Sequence, residues 1–132
     1  MATVRKEIPL RAPAAEVWDA IRDIGALHTR LVPGFVVDTR LEPGARIVTF
    51  ANGMVVRELI VALDEAAMRL VWSAEGGAAT HFNGAAQVVA DGDAARIIWI
   101  SDFLPDAIAP EIDAAMTAGA AAMQRAFGGR PQ

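Results

Sequence analysis

From residue 35 to residue 103 the chain is a nearly unbroken series of short alternating runs, and each run stops where the chain can turn sharply. The runs cover residues 35–41, 45–50, 54–63, 68–74, 81–90 and 96–103 and are rich in Val, Ile and aromatics. Between them stand Glu42-Pro43-Gly44, Asn52-Gly53, Asp64-Glu65, Glu75-Gly76-Gly77 and Asp91-Gly92-Asp93. A period of two sends successive side chains to opposite faces of a strand, and connections this short join antiparallel neighbours. A meander of strands is therefore expected. Residues 2–10 add a seventh strand, with Val4, Ile8 and Leu10 on one side, Thr3, Arg5 and Glu7 on the other, and Lys6 as the exception on the apolar side.

Two stretches follow a helical period instead. Ala12-Pro13 opens a helix in which Val17, Ile21 and Ile24 recur at helical spacing, Trp18 and Leu27 widen the stripe, and Gly25 is the expected end. A short second helix is expected over 27–31, before Pro33-Gly34 turns the chain. After Pro105, the residues Ile108, Ile112, Met116, Gly119, Met123 and Phe127 recur at spacings of three or four, which predicts one long amphipathic helix over 106–127. Asp106 is its expected N-cap, and Pro110 falls near the first turn, where few amides have partners. The resulting order, β-α-α-β6-α, predicts an α+β fold in which a seven-stranded curved antiparallel sheet wraps the long C-terminal helix. Residues 1–127 form one expected domain and 128–132 a frayed tail. A curved sheet and a straight helix cannot touch along their whole length, so a cavity between them is a ligand-site hypothesis.

Composition narrows the function classes. The chain has 132 residues, 54% hydrophobic and 21% charged, with a formal net charge of −4, which fits a globular protein. It carries one lysine, Lys6, and scattered arginines, whereas neutralising a phosphate backbone takes clustered cations, so no nucleic-acid partner is expected. The absence of cysteine excludes disulfides, thiolate nucleophiles and cysteine-held clusters. No stretch reaches the roughly 18 apolar residues of a membrane span, and MATVRKEIPL carries charges where a signal peptide needs an apolar run. A cytoplasmic location without a membrane span is the expectation.

In the segments IPLRAPAAEVWDAIRD, PGARIVTFANGMVVRELIVALD, RLVWSAEGG, ARIIWISDFLP and DAAMTAGAAAMQRAF the chain resembles the START and birch-pollen-allergen-like superfamily, often labelled SRPBCC, in its polyketide cyclase/dehydrase branch. The resemblance spans nearly the whole chain and implies a helix-grip fold around an apolar cavity. It leaves activity open, since members bind lipids, hormones or polyketides, cyclise or hydrolyse substrates, or serve as partner-binding modules. The lack of any tyrosine is a departure from the family pattern.

Strand register decides which side chains face that cavity. A tight two-residue loop at Asn52-Gly53 puts Arg46 and Glu58 on opposite faces. A three-residue loop, Ala51-Asn52-Gly53 with Gly53 left-handed, pairs Phe50 with Met54, Val48 with Val56 and Arg46 with Glu58 on one face. The resemblance favours the second, because its matching Arg-x-Val-x-Phe and Glu parities generally turn inward. Arg46 and Glu58 then form a cross-strand pair in a pocket of Val48, Phe50, Val56, Trp72, Phe82, Trp99, Ser101 and Phe103, closed by Ile112, Met116 and Met123 of the last helix. As a functional pair they orient a ligand's polar end; as a structural pair they are a salt bridge at the sheet's rim. Glu58 is the best general-base candidate, although a carboxylate directly paired with an arginine is a poor base.

The remaining polar residues carry weaker signals. His28 and His81 are expected to be exposed or at the cavity mouth, and no His-x-x-x-His or His-Glu spacing suggests a metal. A triad of Ser73 or Ser101 with His81 and Asp102 fails on parity, because adjacent Ser101 and Asp102 face opposite ways. Lys6 is either a buried Schiff-base amine or, as favoured here, a side chain that snorkels to the sheet edge. Trp18 is expected to pack the first helix on the sheet. Glu75-Gly76-Gly77 matches a gate loop of ligand-binding relatives by position only and is read as an ordinary hairpin turn. No cofactor is expected. The leading functional expectation is binding of a small hydrophobic, ring-containing molecule, lipid or polyketide-like, in the cavity. The second is a polyketide cyclase/dehydrase-like enzyme that uses Glu58 or His81 for proton transfer. The third is an interaction module or homodimer joined through outward residues such as Leu59, Val61, Ile98 and Ile100.

Overall fold

A computed structural model, which describes residues 1–128, turns the alternating runs into strands with boundaries within two residues of those read from the sequence. The elements are β1 (Ala2–Leu10), α1 (Ala14–Arg22), β2 (Val36–Glu42), β3 (Ala45–Phe50), β4 (Val55–Asp64), β5 (Arg69–Glu75), β6 (His81–Asp91), β7 (Ala94–Leu104) and α2 (Ala109–Phe127). They make one seven-stranded antiparallel sheet in the order β1-β7-β6-β5-β4-β3-β2, so the meander is complete and β1 closes against its last strand. With α2 this is the expected α+β helix-grip fold. The pairing register slips once at Val37 and once at Val61, and such bulges bend a strand and increase its twist. No helix among the described residues is long and apolar enough to cross a membrane. The expected tail lies, from residue 129 on, outside the described residues.

The helices depart from the sequence reading at their ends. Helix α1 stops at Arg22, before Gly25, and a 3₁₀ turn (Ile24–Ala26) and a single π turn (Leu27–Leu31) follow. Arg30 explains the early stop: its guanidinium donates to the Asp19 carbonyl at 3.2 Å and to the Asp19 and Asp23 carboxylates at 2.7 and 3.0 Å, serving groups that a helix end leaves unpaired. At the other end of the chain, Asp106 is not the N-cap of the last helix. Residues Asp106–Ile108 form a 3₁₀ turn, and α2 begins at Ala109 with no side-chain cap. Pro110 has no amide to donate to the Asp106 carbonyl, so a full α turn there is not available.

Val17 and Ile21 bury the inner stripe of α1 on β6 and β7, beside Ile8, Leu10, Val88 and Ile97. Trp18 is also buried, and its indole donates to Glu65 Oε1 at 2.6 Å in the β4–β5 connection. Arg22 holds the same carboxylate through Nε and Nη2, at 2.7–3.0 Å. The Arg22 hydrogen bonds, with the Trp18 one behind them, hold the Glu65 carboxyl below its ordinary value, and the same contact raises Arg22. Helix α2 packs mainly along β1 and the π turn. Its contact with one margin of the sheet leaves a space above the middle strands.

Candidate functional site

That space is a cavity of about 620 Å³, within the size range of sites for drug-sized molecules. Its polar centre is built by the β3–β4 hairpin. Phe50 N–H donates to the Met54 carbonyl at 2.9 Å and Gly53 N–H to the Phe50 carbonyl at 2.9 Å, while Asn52 Oδ1 accepts from Met54 N–H. Gly53 has φ +91°, a conformation that a side chain would strain. This is the three-residue loop, and it sets Val48 opposite Val56 and Arg46 opposite Glu58.

Arg46 Nε donates to Glu58 Oε1 at 2.8 Å, with the two side chains only 4% and 9% exposed. The guanidinium also donates to the Ile24 carbonyl at 3.3 Å and lies 5.9 Å from the centre of the Trp72 ring. The pair is therefore enclosed, in contrast to the rim salt bridge that was the alternative. Two glycines make room for the aromatic walls. A Cβ on Gly84 would stand 2.5 Å from the Trp72 ring, and one on Gly119 would stand 2.8 Å from Trp99, so each indole occupies space that a side chain at the glycine would fill.

Arg46, Phe50, Val56, Glu58, Trp72, Phe82, Trp99, Ser101, Ile112, Met116 and Met123 all line the cavity. Val48 and Phe103 do not. Both are fully buried on the inner face, where neighbouring side chains cover them, and they belong to the core beneath the cavity floor. Trp99 Nε1 and Ser101 Oγ are buried with no hydrogen-bond partner among the described residues.

Sequence spacing alone does not single out several other wall residues. Leu27 and Leu31 come from the π turn, where a signal existed in their spacing of four before Pro33-Gly34, and Val32 and Phe35 come from the segment after it. Gly76, Gly77, Ala78 and Ala79 also line the cavity, so the β5–β6 connection is part of its wall and more than a hairpin turn. Met54 Sδ sits beside Gly77, which brings the two hairpin ends together there. Glu111, exposed in the first turn of α2, completes the charged lining.

The other candidates lie elsewhere. His81 is exposed on the outer face of β6, with Nε2 2.9 Å from Asn83 Oδ1, and Asn83 in turn donates to Asp102. Strand parity removes it from the cavity and leaves Ser101 inside and Asp102 outside, so neither a His81 proton transfer nor the triad can form there. His28 is half-buried against Thr39 Oγ1 at 3.1 Å and is not in the cavity wall. Lys6 is no free amine: its Nζ is 2.7 Å from Asp113 Oδ1 of α2. Among the described residues no three His, Cys, Asp or Glu side chains converge in a way that would hold a metal ion.

The comparisons with known proteins agree with this geometry. The family model described as "Polyketide cyclase / dehydrase and lipid transport" matches residues 1–129. A solved protein of Bacillus thuringiensis, 18% identical, superposes with a TM-score of 0.85 over 96% of this chain and 98% of that one. A truncated norcoclaurine synthase from Thalictrum flavum, 17% identical, gives 0.73 over 94% and 91%. Ginseng major latex-like protein 151 from Panax ginseng, 13% identical, gives 0.76 over 96% and 97%. At these identities the likeness is one of fold. No curated protein sequence is similar enough to the chain to count as a match.

Proposed function

The chain belongs to the polyketide cyclase/dehydrase and lipid transport family, and from that premise we propose that it binds a small hydrophobic, ring-containing molecule in the cavity between the sheet and α2. The observation that carries this reading is the cavity itself. It has about 620 Å³ of space walled by Phe35, Phe50, Trp72, Phe82 and Trp99, with the enclosed Arg46–Glu58 ion pair among its few polar groups. Flat rings stack well on such walls, and burying their apolar area drives binding at about 25 cal/mol per Å².

Native mass spectrometry of the purified protein, before and after mild denaturation, tests the reading. The expected result is a small molecule that leaves with the fold, or, from protein purified empty, binding of the neutral fluorescent probe N-phenyl-1-naphthylamine. A protein that is empty and takes up neither this probe nor any polyketide, flavonoid or fatty acid in a thermal-shift screen would overturn it, and weight would move to the interaction module.

A second reading, turnover of the cyclase/dehydrase kind, is favoured by one observation: Glu58 lines the cavity. Its Oε1 is engaged by Arg46, so proton transfer needs Oε2. Glu58→Gln separates the two readings, since an enzyme loses turnover while a carrier keeps its ligand.

A further inference from the structure

Resting on the cavity reading above, we infer that the ligand is uncharged and carries a carbonyl-type oxygen that accepts hydrogen bonds from Trp99 and Ser101, and that carboxylates are selected against. Two independent features of the cavity lead there.

The first is its charge. Among the described residues that line the cavity Arg46 is the one cation, and Glu58 cancels it at 2.8 Å while the Ile24 carbonyl and the Trp72 face occupy two more of its approaches. Glu111 then leaves the lining with an excess of one negative charge. A ligand carboxylate would have to share Arg46 with Glu58, and two carboxylates on one guanidinium in an enclosed site repel each other. An uncharged ligand leaves the pair intact.

The second is a pair of unused donors. Trp99 and Ser101 stand two residues apart on the inner face of β7, both in the cavity wall, and Trp99 Nε1 and Ser101 Oγ are buried without a partner among the described residues. Indole N–H is a donor only, and a buried donor left unpaired is costly, so the groups that satisfy it are acceptors. Both residues line the cavity, and rotamer changes of the size that commonly accompany binding bring a ligand oxygen within reach of the two atoms. Neutral donors match a ketone or quinone oxygen, which needs no counter-charge.

Three probes of one shape separate the possibilities: 9-fluorenone, fluorene and fluorene-9-carboxylate, which place a carbonyl, a methylene and a carboxylate at the same ring position. Affinities come from displacement of N-phenyl-1-naphthylamine, and the Trp99 indole N–H is followed in proton–nitrogen spectra, assigned with Trp99→Phe. Water solvates a carbonyl better than a methylene, so a preference for the ketone must come from donors in the cavity. The expected order is fluorenone tighter than fluorene by about fivefold, with the carboxylate weaker than fluorenone by about tenfold or more. The Trp99 indole proton should move downfield with fluorenone and not with fluorene. Ser101→Ala, a change small enough to keep the fold, should cut the ketone preference, read as the ratio of the fluorenone to the fluorene affinity, about threefold. If fluorene binds as tightly as fluorenone, or the Trp99 signal responds equally to both, the donor assignment is wrong while the cavity reading stands. If the carboxylate binds best, the charge argument is wrong. If neither N-phenyl-1-naphthylamine nor any of the three binds, the proposed function falls and this inference with it.

Discussion

Arg46 and Glu58 bring a guanidinium and a carboxylate into a wall that is otherwise almost wholly apolar, and that placement has a stability consequence separate from any ligand. Removing one partner leaves the other buried without compensation, which typically costs about 3–5 kcal/mol, whereas replacing both with apolar groups of similar size is often neutral or better. Arg46→Met and Glu58→Leu should therefore each destabilise by several kcal/mol, while the double variant should recover most of the loss. Urea denaturation of the four proteins in a double-mutant cycle measures this, and additive losses would show that the pair is not coupled. The two residues were legible in the sequence as a choice between two hairpin registers, with parity allowing both. The three-residue loop settles it through the Phe50–Met54 pairing and the left-handed Gly53. Gly84 was not legible in the same way. A glycine inside a strand signals a close approach, but only the fold reveals that Trp72 is what approaches.

At the scale of elements, α1 is fastened to the β4–β5 connection by Glu65, which accepts from Trp18 and from Arg22. Because these bonds hold the folded-state Glu65 carboxyl below its ordinary value, the contact stabilises the fold fully above about pH 5. It is lost as pH falls through about 4.3, the unfolded value, and on through the lower folded one. Thermal melts of wild type and Glu65→Gln should therefore differ near pH 7, with wild type higher, and converge toward pH 3. Parallel curves across that range would mean that Glu65 does not titrate with folding. The strands were readable because turn residues punctuate them at almost every boundary. The helix ends were not, because long-range partners fix them: Arg30 reaches back across 11 residues to Asp19 and ends α1 before Gly25, and Pro110 moves the start of α2 past Asp106. Periodicity reports which face of a helix is apolar and is silent on where a distant side chain will end it.

In the whole molecule, what the sequence pattern could not supply is the separation between layers. Apolar residues of the inner face look alike in sequence whether they meet another side chain or open space, which is why Val48 and Phe103 read as pocket residues alongside Trp72 and Trp99. The difference lies in how α2 sits: it packs along β1 and the π turn and stands clear of the middle strands. This gives one kind of substitution opposite outcomes at two sites. Ala74 lines the cavity opposite Glu58 on β5, whereas Ala122 is fully buried in α2 and is not in the cavity wall. Enlarging Ala122 to Leu forces side chains apart in a filled core and should cost about 1–3 kcal/mol. Ala74→Trp instead projects its ring into existing space, so stability should stay within about 1 kcal/mol of wild type, and binding of N-phenyl-1-naphthylamine should weaken by about tenfold or more. Urea melts and probe titrations on both variants decide the matter. A well-folded Ala74→Trp that still binds the probe at wild-type strength would place the binding site outside this cavity.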